Sequence, residues 1–146
     1  MIHPTERLKI LVVEDNEIAR RFVFRTLHRQ GYDIHAVSSG QAALDYLKNE
    51  QIDFVLMDLQ MPGLDGIETT RRIREMLPQD KQPVIVALTA NAFSGDRDIC
   101  MANGMNGILH LLVIEESERV GFLVKPIEAD TLLHVVRTYE SLLTNT

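Results

Sequence analysis

The sequence predicts a doubly wound α/β domain on a five-stranded parallel sheet, and three observations carry that expectation. Short apolar runs alternate along the chain with segments of helical period. The runs are apolar throughout rather than at every second residue, the pattern of strands buried on both faces. Each stretch between runs is long enough for the helical crossover that parallel strands require.

Taken in order, LKILVV (8–13) reads as a buried strand. EIARRFVFRTLHRQG (17–31) follows as a helix, with Ile18, Phe22, Arg25 or Thr26, and Arg29 on successive turns and Gly31 stopping it. YDIHAVS (32–38) is the second strand, and GQAALDYLKNE (40–50) the second helix, with Ala43, Leu44 and Leu47 on one face. DFVLM (53–57) is the third strand, and a loop holding Pro62, Gly63 and Gly66 leads to the helix IETTRRIREML (67–77). PVIVAL (83–88) is the fourth strand, and SGDRDICMANG (94–104) a short helix closed by Gly104. GFLV (121–124) is the expected fifth strand, and EADTLLHVVRTYESLL (128–143) a final helix with Leu132, Leu133, Val136 and Leu143 facing inward.

A chain of 146 residues is the size of one domain, and no linker or repeat divides it. The expected core spans 8–143 within a single domain covering 1–146. A net charge of −6 argues against direct nucleic-acid binding, which depends on basic residues neutralising phosphates. No apolar run reaches the roughly 18 to 20 residues of a membrane span, so no membrane contact is expected. One cysteine cannot form an intrachain disulfide, and no secretory signal is visible, so the expected setting is the reducing cytoplasm. Cys100 reads as a small buried hydrophobe, and the five histidines have no metal-ligand spacing.

In a parallel α/β sheet, functional groups gather at the carboxyl ends of the strands. The first strand ends in Glu14 and Asp15, the third in Asp58, the fourth in Thr89 and the expected fifth in Lys125. Three carboxylates brought together repel one another unless a cation sits among them, and an all-oxygen set suits Mg²⁺. Asp58 is then placed to attack phosphorus as a nucleophile, with Lys125 pairing one phosphoryl oxygen and the Thr89 hydroxyl donating to another. Each residue alone has a plainer explanation. Asp15 or Asn16 suits a helix N-cap, Thr89 a turn, and Lys125 the solvated end of an edge strand. Five such residues at four strand ends favour the site.

The segments VVEDNE, DLQMPGLDGIE, ALTA and LVKPI, in this order, resemble the receiver domain of two-component response regulators, a flavodoxin-like fold, and look most like receivers attached to hybrid sensor histidine kinases. The resemblance implies that Asp58 is the phosphoacceptor, that Asp15 and Glu14 hold Mg²⁺ with the carbonyl of Gln60, and that Thr89, Phe122 and Lys125 are the switch hydroxyl, switch aromatic and phosphate-pairing lysine. It also implies a cis bond between Lys125 and Pro126. The implied partner is a histidine kinase or histidine phosphotransfer domain, whose phosphohistidine supplies the phosphoryl group. The chain would catalyse only its own phosphorylation and dephosphorylation, and it reads as a stand-alone receiver or one cut from a larger protein.

One segment departs from the pattern. ILHLLVIEESERVG, residues 108–121, stands between GMNG and FLVKPI, which the family normally joins. Helix-to-strand connections usually take about 2 to 6 residues, so this apolar insertion must find something to cover it. In one arrangement it leaves the sheet and returns, FLV fills the fifth-strand slot, and Lys125 is delivered correctly. In the other, ILHLLVI takes that slot and displaces the Lys125 strand, leaving a phosphorylation-impaired docking or dimerisation module. The first keeps every motif in place and is the expectation. In both, the insertion lies beside the signalling face and suggests a homodimer contact. A haloacid-dehalogenase-type phosphatase is the weaker reading, because it wants an acid two residues after the nucleophile and Gln60 stands there.

Overall fold

A computed structural model describes residues 8–89, 94–106, 122–124 and 129–144. Its elements follow the expected order: β1 Lys9–Val13, α1 Glu17–Arg29, β2 Asp33–Val37, α2 Gly40–Leu47, β3 Phe54–Asp58, α3 Gly66–Met76, a 3-10 turn Gln79–Lys81, β4 Val84–Thr89, α4 Ser94–Ala102, β5 Phe122–Val124 and α5 Ala129–Thr144. All pairings are parallel, in the order β2-β1-β3-β4-β5. This order reverses direction between β1 and β3, which opens a crevice at their carboxyl ends.

Strand alternation sends neighbouring residues to opposite faces, and here both faces are dry. Ile10 and Val12 of β1 join Val23 and Leu27 of α1 and Leu132, Val136 and Tyr139 of α5 in one cluster. Leu11 and Val13 join Ala43, Leu44 and Leu47 of α2, Ile73 of α3, and Cys100 in the other. Each such buried side chain contributes roughly 1.5 to 3 kcal/mol relative to exposure. The line that reveals the period of α1 is not its buried one: Ile18 is 81% exposed and Phe22 37%, whereas Val23 and Leu27 are fully buried.

Among the described residues, side chains cap the starts of α1, α2 and α3. Asn16 accepts from the amide of Ala19, Ser39 from that of Ala42, and Asp65 from that of Glu68. Each satisfies one of the amides that a helix start leaves open.

The fifth slot belongs to FLV. Phe122, Leu123 and Val124 lie opposite Ala87, Leu88 and Thr89 in a parallel ladder. This corrects the alternative in which ILHLLVI displaces the strand before Lys125: a run that entered the slot at Gly107 and turned back would reach Val124 antiparallel to β4. Residues 108–121, Lys125 and the Lys125–Pro126 bond lie outside the described residues.

Candidate functional site

The acidic residues meet because of register. Val13 is opposite Met57, so the next residues on β1 and β3, Glu14 and Asp58, reach the crevice side by side. Asp58 is opposite Leu88, and Thr89 closes β4 one residue further, level with Val124. Ligand oxygens of Glu14, Asp15 and Asp58 all lie within 4.8 Å of one another. Glu14 is 0% exposed and Asp58 1%, while Asp15 is open to solvent.

Backbone amides hold the buried carboxylates in place. Oε2 of Glu14 accepts from the amide of Asn16 at 3.0 Å, and Oδ1 of Asp58 from the amide of Gln60 at 3.2 Å. The amide of Glu14 donates to the carbonyl of Val37, and that of Leu59 to the carbonyl of Leu88. Asn16 takes the capping role that Asp15 was also suited to, which leaves the Asp15 carboxylate to the cluster.

Two residues that shape the site are not evident in the sequence. Arg20, one turn into α1, donates from Nη1 to the carbonyl of Glu14 at 2.9 Å and reaches that of Asp15 at 3.4 Å. It ties down the turn that carries both acids. Gly66 opens α3 against the end of β3, and a Cβ there would stand 2.2 Å from the carbonyl oxygen of Asp58 and 2.8 Å from Cα of Leu59. Its amide donates to the carbonyl of Leu59 at 3.1 Å. The only sequence signal was a glycine in the loop just before the expected helix.

Chemically, the cluster is a set of hard oxygen donors. Two charged carboxylate oxygens no more than 4.8 Å apart repel by about 3 kcal/mol or more at an effective dielectric near 20, a cost that a divalent cation between them offsets. The donor set therefore fits Mg²⁺, which favours carboxylates and keeps positions for water and phosphate oxygen. The structure brings together Glu14, Asp15 and Asp58, and sets Gln60 beside them through its amide. It places the backbone of Thr89 at the same edge, whereas Lys125 is outside the described residues.

Comparison with known proteins agrees with this architecture. Residues 10–110 match the family model described as response regulator receiver domain. Hybrid signal transduction histidine kinase H of Dictyostelium discoideum is 40% identical over 129 residues, covering 86% of this chain and 8% of that protein. The CAI-1 autoinducer sensor kinase/phosphatase CqsS of Vibrio cholerae is 32% identical over 131 residues, covering 90% of this chain and 17% of that protein. The chain thus spans under a fifth of either relative. Among solved structures, the receiver domain of sensor histidine kinase PA1611 from Pseudomonas aeruginosa aligns with a TM-score of 0.73 at 31% identity, covering 92% of this chain and 98% of that one. That domain has a magnesium ion coordinated in its active site cleft.

Proposed function

The chain belongs to the response regulator receiver domain family, and from that premise we propose that Asp58 accepts a phosphoryl group from a phosphohistidine on a partner kinase or phosphotransfer domain. The observation that carries this reading is the convergence of Glu14, Asp15 and Asp58 within 4.8 Å at the carboxyl edge of the sheet. A carboxylate oxygen of Asp58 attacks phosphorus, the P–N bond to the donor imidazole breaks, and the imidazole leaves with its electron pair and takes a proton. Glu14, Asp15 and Asp58 would hold Mg²⁺ together with the carbonyl of Gln60, and the ion would supply positive charge to offset that of the transferring oxygens. The Thr89 hydroxyl and the Lys125 ammonium take the other phosphoryl oxygens. The aspartyl-phosphate then biases a two-state equilibrium through Thr89 and Phe122, which alters the surface formed by α4, β5 and α5.

The chain's catalysis is limited to its own phosphorylation and dephosphorylation. Its setting is the cytoplasm, where such donors act; no helix among the described residues is long and apolar enough to cross a membrane. Residues 108–121 lie next to the switching surface in sequence and supply a self-association contact, for which solution size with and without the segment is the check.

The test of the central reading is uptake of label from a small phosphodonor such as acetyl phosphate. Uptake that requires Mg²⁺ and disappears in Asp58→Asn is expected. No uptake by the wild-type chain would leave a docking module in its place.

A further inference from the structure

Gly40, the first residue of α2, is buried against the start of α3. Its backbone is not in the left-handed region that Gly31, Gly63 and Gly104 adopt, so what excludes a side chain here is space. A Cβ at Gly40 would stand 2.2 Å from Oγ1 of Thr69, 3.0 Å from Cβ of Leu64 and 3.1 Å from the carbonyl oxygen of Leu64. Thr69 cannot swing aside without loss: it is fully buried, and its hydroxyl donates to the carbonyl of Asp65 at 2.7 Å. The Leu64 contacts cannot relax through a rotamer either, since its Cβ and carbonyl move only with the backbone.

Leu64 belongs to the loop that joins β3 to α3 and carries Gln60. The amide of Gly66 donates to the carbonyl of Leu59 at 3.1 Å, which closes residues 59–66 into one hydrogen-bonded ring. Gln60 lies inside that ring, with its amide on Oδ1 of Asp58. Met61 is buried in the core, and Leu59 and Leu64 pack against the same cluster. Both ends of the loop are braced. The amide of Leu59 donates to the carbonyl of Leu88, and Asp65 caps α3 by accepting from the amide of Glu68. A push at Leu64 therefore reaches Gln60 through a closed ring rather than through slack chain.

We propose that Gly40 is a positioning residue for the acidic site: by letting α2 close onto Thr69 and Leu64, it sets the β3–α3 loop and with it the carbonyl of Gln60. This rests on the reading of Asp58 and that carbonyl as metal ligands. Mg²⁺ accepts little departure from octahedral placement of its ligands, whereas Ca²⁺ takes a variable number of oxygens in flexible geometry. A displaced carbonyl thus weakens Mg²⁺ more than Ca²⁺, while a general loosening of the fold weakens both.

Titration of the full chain with Mg²⁺ and, separately, with Ca²⁺, followed by the amide resonances of Asp15 and Gln60, tests this without phosphorylation. In Gly40→Ala the Mg²⁺ affinity should fall about tenfold or more, and the Ca²⁺ affinity by about threefold or less. Before metal is added, the amides of residues 59–66 should shift while those of α5 stay in place. Removing the obstructing hydroxyl, in a variant carrying Gly40→Ala and Thr69→Ala, should recover part of the Mg²⁺ loss. Leu64→Ala, which takes the loop's anchor out of the core, should also weaken Mg²⁺ more than Ca²⁺, and it decides alone if Gly40→Ala does not fold. Unchanged Mg²⁺ affinity, or equal loss of both ions, would overturn the proposal. A wild-type chain that binds no Mg²⁺ removes the metal reading; shifted loop amides in Gly40→Ala would then still uphold the seat of Leu64 on Gly40, and unshifted ones would remove that too.

Discussion

Adding one methyl group at Gly66 would set a carbon 2.2 Å from the carbonyl oxygen of Asp58, so either α3 or the end of β3 has to move. Because the obstacle is backbone, the strain cannot relax through a rotamer change. Gly66→Ala should cost about 1 to 3 kcal/mol by urea unfolding and should slow phosphorylation more than the stability loss explains. Ordinary stability and labelling would show instead that the contact has slack. The sequence made the acids legible, since Glu14, Asp15 and Asp58 each follow an apolar strand. It could not reveal Gly66 or Arg20, whose importance lies in what approaches them from elsewhere in the fold.

At the scale of elements, α5 packs on the sheet through Tyr139, which is fully buried with its ring 5.3 Å from that of Phe54. Its hydroxyl has no hydrogen-bond partner among the described residues, and burial raises its pKa well above 10.0. The folded state therefore disfavours the phenolate, and the unfolded chain ionises first. This leaves stability intact below about pH 10 and erodes it as pH rises further. Tyr139→Phe should be within about 1 kcal/mol of wild type at neutral pH, and should lose less stability in thermal melts at alkaline pH. An alkaline loss identical in both would refute the assignment. Element order and type were legible because apolar runs and helical periods alternate so regularly. The inward face of α1 was less so: Ile18 and Phe22 keep helical spacing as well as Val23 and Leu27 do, and only the position of the sheet decides between them.

For the whole molecule, topology converts scattered residues into a site. The order β2-β1-β3-β4-β5 sets the ends of β1 and β3 side by side at the switch point, with β4 and β5 next to them. Residues near 14 and 58 meet there although far apart in the chain. That much was readable from the strand pattern, as was the need for FLV rather than ILHLLVI in the fifth slot, which the β4–β5 pairing bears out. What covers residues 108–121 was not readable, because apolarity demands burial without naming a surface. The proposed function requires Glu14, Asp15 and Asp58 to share one divalent ion. Its most direct measurement replaces Mg²⁺ with paramagnetic Mn²⁺ and follows amide resonances. Selective broadening of Asp15, Asn16, Leu59 and Gln60 is expected, reversed by excess Mg²⁺ and absent in a variant carrying Asp15→Asn and Asp58→Asn. Broadening centred on another part of the surface, or surviving in that variant, would contradict it.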